Sequence, residues 1–103
     1  MILKDRAPSG IVPAPQNFLL KRGANDGQVK ASWKLITNNH GYELRWSYDN
    51  VTPDAMTNWV SCSSTHFTLS GLLTGKRLYA FVHAVGSHGT FGDWSDVSSI
   101  TVP

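Results

Sequence analysis

The sequence predicts an all-β fold, an antiparallel β-sandwich of seven strands. Seven short segments carry apolar residues at alternate positions, and turns rich in Gly, Pro, Asn and Ser separate them. Residues 42–46 and 78–84 show this best, with the two-residue period of a strand that buries one face. No segment keeps a helical period over three turns, so we predict no helix.

The length and composition of the chain indicate one globular domain. It has 103 residues, 41% of them hydrophobic and 16% charged. We assign residues 13–103 to the domain. Residues 1–12 are expected to be a linker or an expression tail, because Pro8, Gly10 and Pro13 interrupt this region. Cys62 is the single cysteine, which excludes an intrachain disulfide, so packing alone must hold the fold.

The strands are assigned in chain order from their alternating residues and the turns between them. Two prolines, at 13 and 15, precede a first strand at 17–20, and the later strands are predicted at 28–34, 42–48, 58–61, 65–69, 78–85 and 94–102. In the second strand, Val29, Ala31 and Trp33 share one face, and Trp33 is expected to lie between the two sheets. The predicted core consists of Val29, Trp33, Tyr42, Leu44, Trp46, Phe67, Leu69, Leu72, Leu78, Ala80, Val82 and Ala84.

Several of these features occur in the order and spacing of a known family. Residues 13–103 resemble a fibronectin type III domain through Pro13 and Pro15, Trp33, the Gly41-Tyr42-Glu-Leu44-Arg-Trp46 strand, Leu69-Ser-Gly-Leu72 with Gly75, and Gly92-Asp-Trp94-Ser95. The resemblance implies an immunoglobulin-like sandwich of fibronectin type III topology, without a disulfide. It also implies an extracellular module, secreted or at the cell surface, most similar to modules of bacterial surface proteins and secreted hydrolases.

The corner before the sixth strand departs from the family pattern. Thr74 stands where the family usually has proline, and Leu78 occupies the phase of its corner tyrosine. Tyr79 comes one residue later and is predicted to point outward. We therefore expect the family's corner hydrogen bond to be absent. Unless another group supplies it, its loss lowers the free energy of unfolding by about 1 kcal/mol.

A second departure concerns Trp94 and Ser95, which resemble half of the Trp-Ser-x-Trp-Ser box of cytokine receptors. Val97 replaces the second tryptophan. That box interleaves its tryptophans with arginines of the sixth strand, and none of the outward residues predicted there is arginine. We interpret Trp94 and Ser95 as ordinary packing of the last strand.

The charge pattern and the hydropathy argue against two classes of partner. The net charge is +2, and the basic residues are dispersed rather than gathered in the stripe that nucleic-acid binding needs. No apolar run approaches the ~20 residues of a membrane span, so no membrane insertion is expected.

The Gly71 to Lys76 segment is a turn and not a phosphate loop, because only three residues separate its glycines.

Histidines and the cysteine could meet at one end of the sandwich. His40, Cys62 and His88 lie in or beside loops predicted at that end. Their spacing matches no metal signature, and a Cys–His nucleophile also needs an orienting third group. We interpret them as solvated histidines and a small thiol, and we predict no cofactor, no metal and no catalytic activity.

The candidate site is the outer side of the sheet formed by the third, sixth and seventh strands. With Ala80, Val82 and Ala84 inward, alternation places Tyr79, Phe81 and His83 outward, and Arg45, Phe91 and Trp94 are expected nearby. Aromatics beside an arginine are typical anchors of protein interfaces, and flat aromatics also stack on sugars. The remaining interpretation is cross-strand packing that stiffens the sheet, or cover by a neighbouring domain.

These observations predict a non-catalytic protein-interaction or spacer module. The expected partner is another protein or a neighbouring domain of the same chain. The alternative is a carbohydrate-binding accessory module of a secreted hydrolase.

Overall fold

The computed structural model describes residues 13–37, 39–49, 51–86 and 90–103. The predicted linker or tail and His88 lie outside the described residues. Within the described residues, seven strands form two antiparallel sheets, which confirms the predicted fold class.

The two sheets contain three and four strands. The first has the order β1–β2–β5, built from Leu19–Arg22, Val29–Ser32 and His66–Leu69. The second has the order β4–β3–β6–β7, built from Asn58–Cys62, Tyr42–Ser47, Arg77–Ala84 and Ser98–Thr101. A 3₁₀ turn at Pro53–Ala55 interrupts the polar loop between β3 and β4.

The starts of β1 and β7 differ from the prediction by two and four residues. β1 begins at Leu19 rather than at residue 17, because Asn17 has a left-handed φ of 57° that a strand cannot contain. β7 begins at Ser98 rather than at residue 94. Before it, Ser95 is tied to β6: its N–H donates to the Val82 carbonyl at 2.8 Å, and its hydroxyl accepts from the Val82 N–H at 3.0 Å.

Trp33 lies in the core between the sheets. Its indole makes edge contacts with the rings of Phe18 and Tyr42, with centroid distances of 6.1 and 5.3 Å. The Tyr42 hydroxyl accepts a buried hydrogen bond from the Ile36 N–H at 3.0 Å. Every residue of the predicted core lies in this cluster or packs against it, with Trp46, Phe67 and Leu72 only partly buried.

Another tyrosine supplies the hydrogen bond at the corner before β6. The Tyr48 hydroxyl, just beyond β3, accepts from the Leu73 N–H at 3.0 Å. Tyr79 points to the outer side of the sheet and is half-buried. The corner is therefore hydrogen-bonded to the residue that follows the C-terminal end of β3. This hydrogen bond takes the place of the one that Leu78 cannot make.

Candidate interaction face

Strand pairing gathers the predicted site residues on one side of the four-stranded sheet. Arg45 of β3 lies directly opposite Phe81 of β6 and opposite Trp59 of β4. Glu43 lies opposite His83 in the next row. We call this side the outer face; it comprises Arg45, Trp59, Tyr79, Phe81, His83, Phe91 and Trp94.

Residues 91–95, which come after β6 in the chain, lie against β6 and this face. Val85 and Phe91 form an isolated bridge, and the Gly92 N–H donates to the Ala84 carbonyl at 2.8 Å. These contacts bring Phe91 and Trp94 onto the imidazole of His83. Both rings lie parallel to it, at centroid distances of 4.7 and 3.6 Å.

Trp94 also joins the stack to its neighbours. Its ring meets the Phe81 ring edge-on at 6.3 Å. The Arg45 guanidinium carbon lies 5.2 Å from the Trp94 ring centroid, within the range of a cation–π interaction. A β3 arginine therefore contacts this tryptophan. β6 also begins with an arginine, Arg77, on the same side as Tyr79, but its guanidinium donates to the hydroxyls of Ser99 and Thr101.

This arrangement corrects two expectations. Phe81 and His83 lie on the outer side as predicted, but they are only 9% and 4% exposed, because Trp94 and Phe91 cover them. The expectation that they face solvent is wrong. Trp94 is not part of the last strand either: it precedes β7 and packs across β3 and β6.

A buried carboxylate links two of these side chains. Glu43 Oε1 lies 2.8 Å from His83 Nε2 and 3.0 Å from Arg45 Nε. Arg45 Nη1 also donates to the Pro53 carbonyl at 3.2 Å, so the guanidinium is held in place from two sides. Burial lowers the pKa of His83, although its hydrogen bond to Glu43 opposes this shift.

Trp59 belongs to the outer face, and the sequence analysis did not select it. Its side chain is 57% exposed, next to Arg45 in the same row. Alternation along 58–62 could have found it, because Val60 packs against the core and its neighbour must then point outward. Its place beside Arg45 depends on pairing between distant segments.

The cysteine and one histidine lie at the same end of the sandwich. His40 and Cys62 line the same groove with Tyr42 and Val85. Burial raises the pKa of the Cys62 thiol, which disfavours the thiolate that a nucleophile or metal ligand needs. Across the described residues, no group of three or more His, Cys, Asp or Glu side chains could hold a metal ion.

The described part of the chain contains no helix with the length and hydropathy needed to cross a membrane.

The structure is similar to solved fibronectin type III domains. An Fn3-like protein from Clostridium thermocellum has a TM-score of 0.75 and 22% identity, covering 88% of this chain and 94% of that one. The fn3 domain of human contactin 1 has a TM-score of 0.74 and 20% identity, covering 98% of this chain and 86% of that one. The FN5 domain of Drosophila Lar has a TM-score of 0.66 and 18% identity, covering 90% and 98%.

No protein-family model and no curated protein matches the sequence. The likeness is therefore one of structure, at identities of 22% or less in these three domains. The two sheets have the strand orders described above and pack around Trp33. Because the structure is also similar to these solved domains, the chain has the fibronectin type III fold.

Proposed function

We propose that this domain is a non-catalytic interaction or spacer module of a secreted or cell-surface protein. Its outer face would bind another protein or a neighbouring domain. The fold fits a non-catalytic module, since its structural neighbours are fibronectin type III domains. The observation that carries the proposal is the accessible rim of the outer face, where Trp59 and Phe91 are 57% and 55% exposed.

Two outer-face side chains that adjoin the rim, Trp94 and Arg45, are held by their neighbours before any partner arrives. Trp94 is stacked on His83, and Arg45 is hydrogen-bonded to Glu43 and to the Pro53 carbonyl. Binding therefore immobilises few additional side chains, and a smaller entropy loss favours affinity. Aromatic and arginine side chains are also the residues that most often anchor interfaces.

The competing interpretation is that the stack only stiffens the sheet. The burial of Phe81 and His83 fits that interpretation as well. The two interpretations differ in what they assign to Trp59 and to the exposed part of the Phe91 ring, because stacking on His83 uses only part of that ring. A surface that only stiffens the sheet has no use for the exposed Trp59 ring.

A photo-crosslinking amino acid placed at position 59 or 91 tests the proposal. We expect the crosslinker at each of these positions to form an adduct with one particular protein of the source organism, or with an adjoining domain of the same chain. Leu73 is the matched control, because it is a 56% exposed apolar residue at the corner before β6. Equal adduct yields from positions 59, 91 and 73 would contradict a dedicated face and leave a spacer.

Carbohydrate binding is the second candidate, as an accessory module of a secreted hydrolase. The observation favouring it is the exposed indole of Trp59, since a flat aromatic surface can stack on a sugar ring. Tryptophan fluorescence recorded against a glycan panel tests it. A change that is lost in Trp59→Ala supports this candidate, and no change at millimolar sugar removes it.

A further inference from the structure

Strand β4 forms an open edge of the four-stranded sheet. Among the described residues, the order β4–β3–β6–β7 leaves one side of β4 without a neighbouring strand. The other edge strand, β7, lies against β1 of the opposite sheet. An edge strand presents backbone N–H and C=O groups that can pair with another chain.

The register identifies which backbone groups face this edge. The carbonyls of Val82 and Ala84 accept from the N–H groups of Ser95 and Gly92, on the side of β6 away from β3. In an antiparallel pair, two opposite residues either exchange both hydrogen bonds or neither. Leu44 and Tyr42 lie opposite Val82 and Ala84, so their N–H and C=O groups point away from β6 and towards β4.

The same alternation continues into β4. Leu44 and Tyr42 lie opposite Val60 and Cys62, which therefore use their backbone groups on β3. The intervening residues, Trp59 and Ser61, direct their N–H and C=O groups to the open edge. Two donors and two acceptors thus stand in a row along β4.

Residues 58–62 carry none of the usual protections of an edge strand. The segment reads Asn-Trp-Val-Ser-Cys, without a charge, a proline or a glycine. Natural edges are commonly blocked by lysines or prolines. β1 illustrates this, since it contains Lys21 and Arg22. A second copy of β4 would meet no like-charge repulsion within the strand.

We propose that β4 pairs antiparallel with β4 of a second copy of this chain, so that the two four-stranded sheets become one sheet of eight strands. A two-fold axis at Val60 sets Trp59 opposite Ser61 of the second copy. This register satisfies every outward N–H and C=O of Trp59 and Ser61 in both copies. It also places the two Trp59 side chains diagonally on the outer face, at a spacing of about 7–8 Å that aromatic side chains can bridge.

The association is expected to be weak. Pairing over the five residues of β4 buries less surface than the ~1,200 Å² of a stable interface. We therefore expect a dissociation constant of about 0.1–1 mM. The inference does not rest on the proposed function, because it uses the backbone edge rather than recognition of a foreign partner.

Sedimentation equilibrium and amide exchange test the pairing directly. Between about 20 µM and 2 mM, the average mass should rise from 11.3 kDa towards twice that value. Over the same range, exchange of the Trp59 and Ser61 amides should slow several-fold, while the Val60 and Cys62 amides are protected throughout. A monomer at the highest concentration, or a dimer with unchanged exchange at 59 and 61, overturns the proposal.

Ser61→Pro removes the outward N–H and leaves the hydrogen bonds between β3 and β4 intact. Proline is tolerated in an edge strand where its nitrogen faces solvent. We expect Ser61→Pro to abolish dimerisation, and Ser61→Ala, which keeps the N–H, to retain it. Should Ser61→Pro fail to fold, Trp59→Lys serves instead: the two symmetric lysines should weaken association at least tenfold, and Leu73→Lys should not. Undiminished association of Trp59→Lys contradicts the pairing.

Discussion

The indole of Trp94 lies parallel to the imidazole of His83, with their ring centroids 3.6 Å apart. This contact buries His83 on the side of the sheet that faces away from the core. The outer face therefore has two layers. Phe81 and His83 form an inner layer beneath Trp94, whereas Trp59 and Phe91 form an accessible rim. The two layers are expected to respond differently to substitution.

Replacing Trp94 by alanine should destabilise the fold. The change removes the stack on His83, the edge contact with Phe81 and the contact with Arg45. We expect the free energy of unfolding to fall by about 2 kcal/mol, less than for a fully buried tryptophan. Urea denaturation measures this, with Trp59→Ala as the control that should lose under about 1 kcal/mol. Equal losses of stability in Trp94→Ala and Trp59→Ala would show that the contacts of Trp94 do not stabilise the fold.

Stability should decrease on mild acidification because of His83. Burial holds the pKa of His83 below its ordinary 6.5, so below that pH the unfolded chain binds the proton more readily than the folded one. Stability is then complete above pH 6.5 and declines as the pH falls towards the folded-state pKa. The charged groups facing the ring are Glu43 and Arg45.

Urea unfolding between about pH 8 and 5.5 measures this dependence. His83→Gln should flatten the profile in that window, since glutamine does not titrate. A wild-type protein that grows more stable between pH 7 and 6 would show that the pKa of His83 is raised instead.

Phe81→Ala should cost far more stability than a surface substitution. Phe81 is 9% exposed beneath Trp94, and we expect a loss of about 3 kcal/mol in the free energy of unfolding. Phe91 is 55% exposed, and Phe91→Ala should lose less than about 1 kcal/mol. Thermal or urea denaturation of the pair decides the point. If Phe81→Ala leaves stability unchanged, the inner layer does not exist in solution.

Tyr48→Phe should destabilise the corner before β6. It removes the hydroxyl that accepts from the Leu73 N–H, at a cost of about 1 kcal/mol. Tyr79→Phe is the control, because the half-buried Tyr79 is a tyrosine of β6 that takes no part in the corner. Similar losses of stability in Tyr48→Phe and Tyr79→Phe would show that the hydrogen bond from Leu73 to Tyr48 does not stabilise the corner.

The fold was predictable from local patterns, and the site only in part. Alternation in 78–84 correctly placed Leu78, Ala80, Val82 and Ala84 together on the inner side, because residues two apart share one side of a strand. The same alternation placed Phe81 on the outer side. It contains no information about where Trp94, which comes 13 residues after Phe81, will pack. The cover supplied by Trp94 therefore escaped the prediction.

The sequence by itself determined the seven strands, the inward face of each long strand and the position of Trp33 between two sheets. These follow from side-chain alternation and turn residues, which are properties of neighbouring positions. The tertiary structure alone decided that Phe91 and Trp94 fold back onto His83, that Trp59 stands beside Arg45, and that Tyr48 accepts from Leu73. The physical reason is that burial and hydrogen bonding at these positions depend on contacts between segments far apart in the chain.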